Sequence, residues 1–324
     1  LTWTTTDAPR VIEGLPYGTY YLIETAAPEG YTIAAPQAFT VDENSVSVSV
    51  TMKNVQTKLQ FRKLDESGEP LSGVVLGVKK NLTDEDVVTV GKEPLRWNTA
   101  DENPKTVEGL EPGRYYLVEL DAPEGYATAE PVEFTVSAEP EDYVNAAGEP
   151  EYVTISMTNC KTRVEITKTL EKLSGEPESG LGQLSPENPA VFEILDQNGA
   201  VKAVITVEKE GEVYTAEGLD PGVYTLHEAK APAGYAAAPD RTFEVTDRMD
   251  PENPAEPLPV RLDLENDLTE TVISKISIAD QKELSGARLQ VLDETGAVAV
   301  TVFGEKLEWI SGTEPKVIKG LEAG

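Results

Sequence analysis

VIEGLPYGTYYLIETAAPEGY, residues 11–31, returns as TVEGLEPGRYYLVELDAPEGY at 106–126 and as TAEGLDPGVYTLHEAKAPAGY at 215–235; a shortened copy, VIKGLEAG, occupies 317–324. Gly14, Gly109, Gly218 and Gly320 hold the same place in each copy. The repeat length is about 100 residues, which suits a whole β-sandwich domain and is far too long for a solenoid unit.

Strand patterns flank each copy. The opening pattern alternates apolar residues in KLQFRKLD from Lys58, RVEITKTL from Arg163 and TVISKIS from Thr271. The closing pattern does the same in SVSVSVTMKN up to Asn54, YVTISMTN up to Asn159 and PVRLDLEN up to Asn266. Gly and Pro fall in turns such as GLPYG, GLEPG and GLDPG, and helical periodicity is nearly absent. The expected fold is all-β, a tandem array of Ig-like, transthyretin-resembling sandwiches. Its expected divisions are the C-terminal part of a domain at 1–55, complete domains at 56–160 and 161–267, and the N-terminal part of another at 268–324. Only a few residues separate a closing Asn from the next opening strand, so the array is expected to form a semi-rigid rod. Acidic stretches from Ser137 and from Thr246 read as exposed loops.

The chain has 324 residues with 58 acidic and 27 basic side chains, a formal net charge of -31. That field repels nucleic acid and anionic membrane surfaces. No apolar run approaches the roughly 20 residues of a membrane helix, and the first residues lack signal-peptide character. Cys160 is the single cysteine, so no intrachain disulfide can staple these domains.

Strand parity places unusual groups inside. Residues i, i+2 and i+4 of a strand share a face, so Lys63 follows Leu59 and Phe61 inward, Glu119 follows Tyr115 and Leu117, and Asn159 follows Val153, Ile155 and Met157. Lys168, Glu228 and Asn266 repeat the arrangement one domain later. Glu24 and Asn54 occupy the same places in the first partial domain, and Lys275 in the last. A buried Lys–Glu ion pair is the simplest account, but desolvation costs several kcal/mol per ion, and the pair leaves the inward Asn unexplained. A chemical account uses all three groups. Burial disfavours the charged forms of Lys and Glu, the neutral amine becomes a nucleophile, and the protonated Glu is expected to bond the Asn carboxamide oxygen and help ammonia leave. The product is an amide between Lys and Asn side chains, with opening and closing strands expected to run parallel so that both groups lie near one end. No cofactor or metal is called for.

The segment Tyr20, Leu22, Glu24, Thr25 and its copies resemble the Y-x-L-x-E-T "E-box" of collagen-adhesin B-type and SpaA-type pilin domains of Gram-positive surface proteins. The resemblance covers the whole chain, although Leu120 and Ala229 replace the Thr after Glu. It implies intramolecular isopeptide bonds, a stalk or pilus-shaft role outside the cell at the wall of a Gram-positive-type bacterium, and neighbouring domains of the same chain as partners. An adhesin region capturing a host ligand or glycan, with unreacted polar clusters, is the alternative. Single-turnover bond formation apart, no enzyme activity is expected. His227 is expected on an outer face, Cys160 is expected to point outward, and Trp3, Trp97 and Trp309 read as core packing.

Overall fold

In the computed structural model the described residues are 1–173 and 183–322. Among them the chain is built from short strands, with one four-residue 3-10 turn at Pro140–Tyr143. It divides into two compact units, Leu1–Pro123 with Ala129–Asn159, and Glu124–Thr128 with Cys160–Gly324.

The first unit contains a β-sandwich. One sheet has the order Val132–Val136, Gly113–Asp121, Val75–Lys79, Arg96–Asn98; the other has the order Val153–Asn159, Lys58–Asp65, Lys105–Glu108. Alternate residues of both sheets meet in one core, including Leu59, Phe61, Leu76, Val78, Tyr115, Leu117, Phe134, Ile155 and Met157. Trp97 is buried there, its ring centroid 5.4 Å from that of Phe61. The second unit repeats the design, with Val213–Glu217, Arg163–Leu170, Val260–Asn266 facing Val201–Val207, Ala190–Leu195, Gly222–Lys230, Arg241–Val245. Val164, Ile166, Phe192, Ile194, Tyr224, Leu226 and Leu262 fill its core.

The Gly- and Tyr-containing repeat explains the local geometry. The turn before each Tyr strand is closed by the Tyr hydroxyl, which donates to the carbonyl four residues back: Tyr20 to Pro16 at 2.8 Å, Tyr115 to Glu111 at 2.9 Å, Tyr224 to Asp220 at 2.8 Å. Each ring then stacks on a Phe of the next strand, Phe39, Phe134 or Phe243. A buried ring with a satisfied hydroxyl fixes where the strand starts, and so fixes the parity of every later residue in it.

Opening and closing strands pair in parallel, as expected. Lys63 lies opposite Met157 and Asp65 opposite Asn159; Lys168 lies opposite Leu264 and Leu170 opposite Asn266. Residues 45–54, by contrast, form no strand, although SVSVSVTMKN alternates well. In the other repeats a closing strand is held by an opening strand of the same repeat, and no such strand pairs with 45–54 among the described residues. The remaining elements are two-stranded pairs: Gly18–Leu22 with Gln37–Val41, Thr89–Val90 with Glu93–Pro94, Glu270–Ile273 with Lys316–Lys319, and Arg288–Gln290 with Glu308–Ile310.

The stretch from Ser137 is largely exposed, as expected, but Tyr143 within it is fully buried and its hydroxyl donates to Ser137 O at 3.1 Å. One expectation is corrected. Cys160 is buried rather than outward: it packs with Ala127 and Met249, and its thiol donates to Ala255 O at 3.2 Å. Asn159 ends its strand, so alternation no longer governs the next residue.

Candidate functional site

Lys63 and Asn159 are fully buried. Because their strands are parallel and Asn159 lies two residues beyond the partner of Lys63, both side chains share the inner face at adjacent levels. Lys63 Nζ donates to Asn159 Oδ1. Glu119 comes from the opposite sheet and accepts from Asn159 Nδ2 at 2.8 and 3.0 Å, and from the Ala129 N–H at 2.6 Å. Burial pushes the Glu119 carboxyl above its ordinary value, opposed in part by the Lys63 charge and by the two donors.

The second set has the same frame. Lys168 and Asn266 are fully buried and Glu228 is nearly so. Glu228 Oε2 accepts from Asn266 Nδ2 at 2.7 Å and from the Ala238 N–H at 2.5 Å, while Asn266 Nδ2 also donates to Ala236 O at 2.5 Å. Lys168 Nζ, Glu228 Oε1 and Asn266 Oδ1 are buried without a hydrogen-bond partner among the described residues. Burial pushes the Lys168 amine down to about 8, against the opposing pull of the Glu228 charge and more distant carboxylates. A neutral amine with a free lone pair is a nucleophile; an ammonium is not.

Glu24 and Asn54 come together in the same way, with Asn54 Nδ2 donating to Glu24 Oε2 at 2.6 Å and to Thr32 O at 2.8 Å, and the Ala34 N–H donating to Glu24 at 2.7 Å. Lys275 is half-buried, and its backbone N–H donates to Glu283 at 3.1 Å. The expected opening strand from Thr271 is shorter than its pattern, Glu270–Ile273, and Lys275 lies beyond its end.

One detail differs from expectation in all three places: the Asn presents its nitrogen, not its oxygen, to the Glu. The carboxyl therefore faces the group that would depart as ammonia, and the oxygen in the first complete set faces the lysine. Sequence reading also missed the donors that hold each Glu. Ala34, Ala129 and Ala238 each lie three residues after the repeat tyrosine, Tyr31, Tyr126 or Tyr235. The regular spacing was available as a signal, but a backbone N–H leaves no mark on residue type. Asn103 was missed as well. Its Oδ1 accepts from the Lys63 N–H at 3.1 Å, and its Nδ2 donates to Lys63 O at 2.8 Å and to Leu71 O at 3.2 Å.

His227 is partly exposed beside Asp240, with Nδ1 and Oδ1 2.7 Å apart, remote in role from these sets. No helix among the described residues is long and apolar enough to cross a membrane.

Residues 2–56, 57–149 and 187–254, more than half of the chain, match the model of the SpaA prealbumin-like fold domain family. No curated protein sequence matches significantly. Among solved structures, the Bacillus anthracis TIE protein is similar at 19% identity over 90% of this chain and 52% of its own, with a TM-score of 0.34. This chain thus spans about half the length of that protein. A Streptococcal ancillary pilin is similar at 20% identity over 79% of this chain and 76% of its own, with a TM-score of 0.25. The shaft pilin spaA from Lactobacillus rhamnosus GG is similar at 14% identity over 66% and 98%, with a TM-score of 0.26.

Proposed function

Because this chain belongs to the SpaA prealbumin-like fold domain family, we propose that it is a segment of a cell-surface stalk or pilus shaft in which each complete repeat closes on itself through a Lys-to-Asn isopeptide bond. The observation that carries this reading is the buried meeting of Lys63 Nζ, the Asn159 carboxamide and the Glu119 carboxyl, repeated in kind at Lys168, Asn266 and Glu228.

The chemistry comes from the environment. Burial raises the Glu119 carboxyl and lowers the Lys168 amine, shifts that ease the passage of one proton from ammonium to carboxylate on the way to a neutral amine and a carboxylic acid. The amine Nζ attacks Asn Cγ, forming the Nζ–Cγ bond. Glu faces Nδ2 and protonates it as the Cγ–Nδ2 bond breaks, and the carboxylate then recovers a proton from Nζ. The departing ammonia takes this second proton from Glu, which returns to carboxylate, so one ammonium is released per lysine ammonium consumed. No outside reactant enters. The fold holds the partners in attack position, a contribution of about 7–11 kcal/mol to the barrier. Each set reacts once, so the process is maturation of a structural protein and not turnover.

Intact mass tests the reading. The full chain is expected to weigh two ammonia molecules less than its sequence, and Glu119→Ala and Glu228→Ala each to restore one. Peptide mapping should return Lys63 linked to Asn159 and Lys168 linked to Asn266. A mass equal to that of the sequence removes the bonds from this account, and linked peptides of other composition reassign them.

A further inference from the structure

A threonine sits three residues after each closing Asn: Thr57, Thr162 and Thr269. The three make the same bonds. The Thr N–H donates to a glycine carbonyl in the loop after the preceding Tyr strand, Thr57 to Gly30 at 3.1 Å, Thr162 to Gly125 at 3.0 Å and Thr269 to Gly234 at 2.9 Å. The Thr carbonyl accepts from the turn glycine of the following repeat, Gly109 at 3.0 Å, Gly218 at 3.0 Å and Gly320 at 2.9 Å. The hydroxyl donates to the carbonyl of the next residue in that turn: Leu110 at 2.7 Å, Leu219 at 2.5 Å and Leu321 at 2.6 Å. Each threonine therefore clasps an upstream loop to a downstream turn.

The loop glycines are required by the approach they allow. Gly30, Gly125 and Gly234 all have positive φ, and a Cβ on Gly234 would come within 2.5 Å of Val302 Cγ2 in the following repeat. A Cβ on Gly30 or Gly125 would meet Gly109 O at 2.6 Å or Gly218 O at 2.7 Å.

Immediately after Gly234 the chain runs into the reactive set. The Ala236 N–H donates to Asp267 O at 2.9 Å, Ala236 O accepts from Asn266 Nδ2, and the Ala238 N–H holds Glu228 Oε2. The run 234–238 is thus tied at its start by Thr269 and at its end by Glu228 and Asn266. A second tie runs parallel to it. The Glu171 N–H donates to Asn266 O at 2.9 Å, while its carboxylate accepts from the Leu268 N–H at 2.8 Å and from Lys319 Nζ at 2.8 Å. In the first repeat Thr57 and Gly30 stand in the same relation to Ala34, Glu24 and Asn54.

Resting on the cross-linking function proposed above, we infer that Thr269 is a positioning residue for the Lys168–Asn266 bond: by clasping the following repeat it fixes the loop that presents Ala236 O and the Ala238 N–H, so the reactive set of one repeat is completed by the folding of the next. Cross-linking along the chain then reports that the downstream repeat has docked.

The test tracks bond formation in freshly synthesised full-length chain, sampled over time and digested, by the ratio of linked to unlinked Lys168 and Asn266 peptides. Thr269→Val removes the hydroxyl donor while keeping shape and backbone, and is expected to slow this bond about fivefold or more, the effect of one neutral hydrogen bond on a rate. The Lys63–Asn159 bond in the same molecules should form at the wild-type rate, and Thr269→Ser, which restores the hydroxyl, should recover the lost rate. The inference is overturned if Thr269→Val matches wild type, if both bonds slow equally, or if Thr269→Ser fails to restore the rate. Wild-type protein without the Lys168–Asn266 peptide would overturn the cross-linking function and, with it, this inference. A linked wild type with an indifferent Thr269→Val removes only the coupling.

Discussion

The two complete Lys, Glu and Asn sets share residue types, register and strand topology, yet they are satisfied differently. Around Asn159 every polar arm is engaged, with the oxygen on Lys63, the nitrogen on Glu119, and Glu119 also held by Ala129. Around Asn266 the amide nitrogen is held twice, but Lys168 Nζ, Glu228 Oε1 and Asn266 Oδ1 have no partner among the described residues. An unsatisfied buried polar group costs about 1–3 kcal/mol, more when charged, so the second set as free side chains is the more costly of the two. Converting its amine to a neutral amide removes a buried charge. The comparison teaches that these groups are poor stabilisers unless they react, and that the unreacted cost differs between repeats whose sequences look equivalent.

The largest effect is expected from Lys63→Met and Lys168→Met, which keep an apolar stem and delete the nucleophile. A bond from opening to closing strand closes a loop of nearly 100 residues, which the chain-entropy account values at about 4–5 kcal/mol. Both variants are therefore expected to lose stability of that order in denaturant titration. A gain in either would break the equivalence, because replacing an unreacted buried lysine with methionine is stabilising. Pulling single molecules sharpens the same point: with force carried through parallel end strands, wild-type repeats should not extend fully, and the Met variants should.

A pH comparison separates the two states of Lys168. Asn266→Ala leaves the lysine as a buried amine pushed down to about 8 from 10.5. Below about pH 8 both folded and unfolded chains hold the proton, and the penalty for charge burial is fully present. Between that value and 10.5 the unfolded chain binds more protons, so stability of the variant rises with pH across this window. The cross-linked wild type has no amine there to titrate. A variant whose stability relative to wild type stays flat over the window would show that burial does not govern this lysine.

The smallest effect concerns Asn103, which clamps the backbone of Lys63 and has no counterpart beside Lys168 among the described residues, where the carbonyl accepts instead from the Gly211 N–H at 2.9 Å. Asn103→Ala is expected to cost about 1–3 kcal/mol in the repeat that contains it and to leave the rate of Lys168–Asn266 bond formation unchanged. Equal slowing of both bonds, read by timed peptide mapping, would deny Asn103 a local role.

The sequence by itself determined the repeat, the all-β class and the inward parity of Lys63, Glu119 and Asn159 and of Lys168, Glu228 and Asn266, because alternation is a property of each strand alone and needs no partner. It also showed that the Tyr and Gly turns recur in register. Tertiary structure decided everything that depends on a second segment arriving. Parallel pairing set Lys63 one level from Asn159, and the lack of such pairing left residues 45–54 without a strand despite their pattern. The path of the loop after each repeat tyrosine supplied the backbone donors at Ala34, Ala129 and Ala238, turned each Asn nitrogen toward Glu, and brought each junction threonine against two glycines. Packing buried Cys160 and Tyr143, which local parity and composition had assigned to solvent. The physical reason is the same throughout: side-chain identity encodes which face is apolar, whereas backbone N–H and C=O groups are alike at every position, and only the folded path selects which of them meet.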